Sequence, residues 1–336
     1  MILPVQTNSV RWGIVGISCC LLASIFFSSM AFGQYSLPFK QLWFAFLHYD
    51  PTSIDHVIIT TTRLSRSVLA ASVGAALAVA GVLMQTLTRN PLASPAIFGV
   101  NAGAMFFIVL FTQIFSVSSM DMLLWVAFLG ATVAGVLVYG LGSMGHDGVS
   151  PVRIVLAGAA ISALFISFTQ GILVLGQEGI DSVLFWIAGS VSGRDLDTIL
   201  PVLPYLLGSI VCAVLLAPHL NILLSGDDIA TGLGQNTLLL KIALSVLVIS
   251  LAGIAVAMAG NIGFIGLIVP HMARSLVGND HKWLIIISAL WGAMLLILAD
   301  VLGRLIIAPE EIPIGVMTAL IGAPFFIFLA RQRTKL

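Results

Sequence analysis

An all-α fold that crosses a membrane about ten times is predicted by three features of this sequence. Of its 336 residues, 59% are hydrophobic and only 8% are charged, against about 25% charged in a soluble domain. The mean hydropathy is +1.12. Apolar runs recur along the whole chain, near residues 12–33, 67–88, 96–115, 122–144, 152–175, 198–217, 238–258, 262–278, 283–306 and 312–330. A perpendicular helix needs about 20 apolar residues to cross roughly 30 Å of hydrocarbon. These properties describe a single transmembrane domain over residues 1–336, not a globular protein with one anchor. The 14 basic and 14 acidic residues cancel, so nothing in the charge points to a nucleic-acid partner.

The first run contains Ser29-Met30-Ala31, which looks like a signal-peptide cleavage site. Its apolar core exceeds the roughly 7–15 residues of a signal h-region, so a retained first helix is expected. The second run is the most informative. About twenty uncharged residues separate Arg63 and Arg66 from Arg89, so arginine stands at both ends of one span. Cations normally collect on the cytoplasmic side, and one end breaks that rule. Gly74, Ala75, Ala78 and Gly81 share a face of this helix, where small residues allow close helix approach.

The basic tail Arg331, Arg333 and Lys335 is expected in the cytoplasm, and ten spans place the N-terminus there too. Alternation then gives inside loops near 89–95, 145–151, 218–237 and 279–282. Nine of the 14 basic residues lie on that side; Lys40, Arg63, Arg66, Arg194 and Arg304 lie outside. Cys19, Cys20 and Cys212 sit in apolar runs and form neither a disulfide framework nor a metal motif. The six histidines are scattered, no nucleophile–base set is visible, and no GxxxxGK[ST] phosphate loop occurs. Neither catalysis nor a bound metal is expected of this chain. If ATP drives it, another chain binds the nucleotide.

Four segments carry chemistry. Residues 220–235 form the longest polar inside connection; Ser225 is expected to cap a short helix with Asp227 and Asp228 in its first turn, and Gly232 and Gly234 to stop it. Such a helix is either a docking lever for a soluble partner or an ordinary capped loop. In residues 260–271, glycine and proline break the apolar pattern near Asn261 and His271. Broken backbone at membrane depth must be covered by protein or line a cavity. His271 reads as a proton relay or ligand, or as a helix-end histidine with a structural hydrogen bond; no ionisable partner beside it favours the former. Asp300 and Arg304 are spaced i,i+4 on one face, as a local ion pair or as part of a site. Residues 183–194 are amphipathic, too short to span, and are expected at an external mouth.

Four blocks of sequence resemble one family in family order: RLSRSVLAASVGAALAVAGVLMQTLTRNPLASP (63–95), FWIAGSVSGRD (185–195), LNILLSGDDIATGLG (220–234), and GFIGLIVPHMAR (263–274) with its continuation through EIPIGVMTALIGAPFFIFL. They resemble the FecCD-type permease subunits of ATP-binding-cassette importers for ferric siderophores, haem and cobalamin, closest to the ferric-dicitrate and siderophore members. The resemblance implies a type II importer permease fold in a bacterial plasma (inner) membrane. It also implies a second permease subunit, identical or paralogous, and two cytoplasmic ATPase subunits that hold ATP and magnesium. A periplasmic or lipid-anchored substrate-binding protein completes the assembly, with lipid around the permeases.

By the same resemblance, the coupling segment is about 220–236, with Leu223, Ser225, Gly226, Asp227, Asp228, Ala230, Thr231, Leu233 and Gly234 at the ATPase. Arg63, Arg66 and Arg304 would dock glutamates of the binding protein, with Asp300 orienting Arg304. Asn90, Leu92, Ser150, Val152 and Pro324 would belong to the gate and pathway. The alternative class is an ion-coupled secondary transporter, which needs ionisable residues at the membrane midplane; this sequence has almost none there.

Overall fold

The computed structural model describes residues 7–33, 35, 37–117, 119–144, 151–175 and 186–333. Among them the regular structure is helical, and all ten predicted runs contain helix. The first is α1 (Asn8–Ala31). A short helix not expected from the sequence, α2 (Phe39–Leu47), follows, with Leu42 and Ala45 buried and Trp43 exposed. Then come α3 (Leu64–Leu87), α4 (Val100–Ile114), α5 (Met120–Ser143) and α6 (Pro151–Leu175). The middle of the chain gives α7 (Leu203–Leu215), α8 (Ala217–Leu223) and α9 (Asp227–Gly232). The last four are α10 (Thr237–Ala259), α11 (Ile265–Val277), α12 (His281–Leu305) and α13 (Ile314–Arg333).

Among the described residues six helical rods are long and apolar enough to cross a membrane, and α7 with α8, bent by 52° at their junction, makes a seventh if the pair is one span. Pro218 enters at that bend as an early residue of α8, where its missing N–H costs no helix bond. α4, α11 and the 314–327 part of α13 are apolar but shorter than a full crossing. The predicted 67–88 span begins earlier than expected. A helical turn (Ile54–Val57) and a π-helical turn (Ile58–Arg63) run straight into α3, giving a 34-residue rod.

α3 is the central post. It packs against α10, α11 and α12, and eighteen of its residues are buried. Its glycines let neighbours touch backbone to backbone. A Cβ on Gly74 would overlap the Gly292 carbonyl of α12, and one on Gly81 would overlap the Gly266 carbonyl of α11. In a bilayer, where lipid is as apolar as leucine, such close packing holds helices together. α4, α5 and α6 form a second cluster, with Gly103 and Gly130 in backbone contact between α4 and α5. α6 keeps a large apolar face uncovered, including Leu156, Phe168 and Val174.

Candidate functional site

Predicted site residues gather at the two ends of the bundle and at a break between them. At the first end, Asp300 is 4% exposed and lies between two cations. Arg66 Nε donates to its Oδ1 at 2.8 Å, and Arg304 pairs with its Oδ2 at 2.9 Å. Arg66 also forks onto Glu311, with contacts of 3.1 and 2.9 Å. The i,i+4 pair expected from the sequence is therefore formed, and a second arginine completes it.

Arg63 and Arg304 have a further set of partners. Arg63 Nη1 donates to the carbonyls of Met30 (2.7 Å) and Ala31 (2.9 Å), and its Nη2 to Tyr35. Arg304 donates to Phe32 (3.0 Å) and Ser29 (3.3 Å). The Ser29, Met30 and Ala31 carbonyls belong to the last turn of α1, which has no intrahelical donors and carries the negative end of the helix dipole; those of Phe32 and Tyr35 follow it. The two guanidinium groups thus cap α1, and both residues are buried, at 6% and 4% exposure. Arg63 and Arg304 are turned into the protein, and Arg66 is already forked onto Glu311. The sequence showed three cations at a wrong end; it held no sign that α1 would bring the acceptors.

At the opposite end, Asp227 is the junction. Arg89 pairs with its Oδ1 and Lys241 with its Oδ2, each at 2.9 Å. Arg89 also donates to the Leu223 carbonyl at 3.3 Å. The loop after α3 is therefore pinned to both α8 and the start of α9. Within that loop, Leu92 N donates to Asn90 Oδ1 at 3.0 Å, a tight local turn. The capping expectation for this segment needs correction. Gly226, not Ser225, occupies the N-cap of α9, and no side chain caps it. Gly226 has φ +119, a conformation that side-chain-bearing residues avoid. Asp227 and Asp228 do occupy the first turn, and Gly234, at φ +82, follows the helix end. Leu223 and Ala230 face inward, whereas Leu224, Asp228, Ile229, Thr231 and Leu233 are exposed.

A second layer at this end was not anticipated. His281 Nε2 meets Thr86 Oγ1 at 2.8 Å, and His281 Nδ1 meets Asn221 Oδ1 at 2.7 Å. Asn221 donates to Asp280 at 3.3 Å, and Asp280 pairs with Arg11 at 3.2 Å. This chain ties α1, α3, α8 and α12 together. Each bond joins residues far apart in sequence, so only composition, not partner, was visible.

The third region is the break. α10 ends at Gly260 (φ +74), and α11 begins after Phe264 (φ +67). The segment after Trp186 comes down to meet it: Asn261 N donates to the Trp186 carbonyl at 3.0 Å, and Ser190 N to that of Ala259 at 2.8 Å. Within 183–194, described from residue 186, Ser192 Oγ lies 3.5 Å from Arg66 Nη1, so the segment runs from the break to the Arg66 end. Trp186 is 2% exposed, and the Arg194 guanidinium stacks 4.5 Å from its ring. Phe185 lies outside the described residues. Asn101, opening α4, donates to Asn261 Oδ1 at 2.6 Å. Pro324 lies inside α13, two residues beyond Gly322, against which Phe264 packs. His271 packs edge-on against Phe325 at 5.9 Å. Val152 is exposed in the first turn of α6; Ser150 lies outside the described residues. No group of three potential metal ligands occurs among the described residues.

The chain resembles known proteins over nearly its whole length. The model of the FecCD transport family matches residues 20–332. The probable siderophore transport system permease protein YfiZ of Bacillus subtilis is 46% identical over 328 residues, covering 98% of each chain. The ferric enterobactin transport system permease protein FepD of Escherichia coli is 43% identical, covering 91% of each. A solved inward-facing conformation of a metal-chelate type ABC transporter superposes with a TM-score of 0.83 at 30% identity, over 95% of this chain and 99% of that one.

Proposed function

Because the chain belongs to the FecCD transport family, we propose that this permease subunit carries ferric siderophores across the bacterial plasma membrane by alternating access. Residues 1–336 act as one transmembrane domain with both termini in the cytoplasm. A second permease subunit packs alongside, as the family membership supports. Two ATPase subunits bind ATP and magnesium below the Asp227 end, and a substrate-binding protein docks at the Arg66 end. The cargo is a chelate whose iron is already coordinated, so the pathway needs no metal ligands. Relatives named for siderophore, ferric citrate and ferric enterobactin transport support this class.

The observation that carries the mechanism is the Arg89–Asp227–Lys241 junction. ATPase closure would push on the exposed tip formed by Leu224, Ile229 and Leu233. Asp227 would pass that displacement to the loop holding Asn90 and Leu92, and so to α3. Ser150, Val152 and Pro324 are assigned to the same gate and pathway by the family pattern. Arg63, Arg66 and Arg304 remain the proposed docking set for the binding protein. An incoming carboxylate would exchange with Glu311 on Arg66, and with the Tyr35 and Phe32 carbonyls on Arg63 and Arg304.

The test is co-purification with the cognate ATPase. Replacing Ile229→Glu together with Leu233→Glu places charge in the apolar contact and is expected to abolish association while the permease still folds. Undiminished association would show that this tip is not the ATPase seat.

A further inference from the structure

Several irregular segments of this bundle converge on one place. The 3-10 turn Pro95–Phe98, the described segment after Trp186, the Gly260–Phe264 break and the start of α13 all meet. Gly189 packs against the Asn261 carbonyl, Gly315 against the carbonyls of Ala188 and Asn261, and Gly266 against Pro95. Their depth follows from α3. Gly266 faces Gly81 and the Leu77 carbonyl, six and ten residues from the Asp227 end of that helix. At 1.5 Å per residue this is roughly 9–15 Å inward, well within the apolar slab. Irregular backbone at that depth persists only where protein covers it or where it lines a polar cavity.

A cavity of about 430 Å³ opens beside this convergence, within the usual size range of ligand sites. Asn101, Ser162, Thr169, Gln170, Ile187 and Asn261 contribute to its wall. Among the described residues the lining carries amide and hydroxyl groups and no acidic, basic, histidine or cysteine side chain. The Asn101–Asn261 bond, at 2.6 Å, uses one N–H and one carbonyl oxygen. Among the described residues it leaves the Asn101 Oδ1 acceptor and the Asn261 Nδ2 donors for something in the cavity. Gln170 is exposed and adds another amide.

We propose that Asn101, Asn261 and Gln170 form a mid-depth amide site that hydrogen-bonds the periphery of a coordinatively saturated ferric chelate as it passes. The wall offers donors and acceptors but nothing that would strip the metal. It therefore selects surface carbonyl, amide or hydroxyl groups over free iron. This site rests on the permease reading above and names the part of the cargo the chain recognises.

The experiment uses the assembled complex in proteoliposomes, fed radio-iron as a ferric hydroxamate, as a ferric catecholate and as ferric citrate, and reads iron transported per ATP hydrolysed. If the unaltered complex moves none of these chelates, the function proposed above fails, and the site with it. If it moves one, Asn261→Leu and Gln170→Leu are expected to lower the transport ratio at least tenfold. Assembly is checked by sizing. Because Gln170 lies on α6 and not in the Gly260–Phe264 break, Gln170→Leu decides the matter alone should Asn261→Leu fail to assemble. A ratio within twofold of the unaltered complex in the assembled variants overturns the amide site and leaves the permease reading intact.

Discussion

Asp300 shows how much one side chain can hold together. It lies buried between Arg66 and Arg304, and Arg304 in turn caps α1. Asp300→Ala would leave two cations without their shared carboxylate, a loss on the order of 3–5 kcal/mol for a buried pair. Thermal unfolding in detergent should show a clear drop; an unchanged midpoint would mean that solvent or lipid compensates the arginines. Glu311 makes the opposite prediction. If a binding-protein carboxylate must replace it on Arg66, Glu311→Gln removes a competitor and should tighten binding-protein association. Arg66→Glu should weaken it, with a larger effect at low salt, where exposed charges interact over longer distances. A binding isotherm indifferent to both substitutions would remove Arg66 from the docking surface.

At the scale of the element, the sequence was legible wherever a signal was local. The ten apolar runs all hold helix, the Asp300–Arg304 spacing gives an ion pair, and the Gly74–Gly81 face is where α3 meets its neighbours. What was not legible depended on which helices become neighbours. Arg66 and Glu311 are 245 residues apart, and Arg63 and Met30 are 33 apart. Helical periodicity gives a face but not its partner. The cap of α9 failed for a different reason: the N-cap falls one residue beyond Ser225, and the positive φ there selects glycine. The glycine contacts are testable within a single helix type. Gly81→Val would force its side chain into the Gly266 carbonyl and should prevent folding, since backbone cannot yield as a side-chain tip can. Gly208→Ala, with nothing within 4 Å of its added Cβ, should be neutral or gain up to about 1 kcal/mol in helix propensity. Expression and monodispersity in detergent separate the two outcomes; a well-behaved Gly81→Val protein would contradict the packing.

At the scale of the whole molecule, the two charged ends and the broken middle are joined by α3. Arg63 and Arg66 hold one end of this rod to α1 and α12. Gly81 meets α11 beside the Gly260–Phe264 break, and Arg89 fastens the far end to Asp227. A displacement delivered to α9 can therefore reach that break through one stiff element, provided that the Arg89–Asp227 contact transmits it. A double-mutant cycle on the reconstituted complex measures this most directly. Iron transported per ATP hydrolysed is compared for the unaltered protein, Arg89→Ala, Asp227→Ala and the double variant. If the contact transmits the stroke, each single substitution lowers the ratio about tenfold or more, and the double variant is no worse than the poorer single. Effects that multiply, or single variants that transport normally, would contradict the coupling path from α9 through Asp227 and Arg89 to α3.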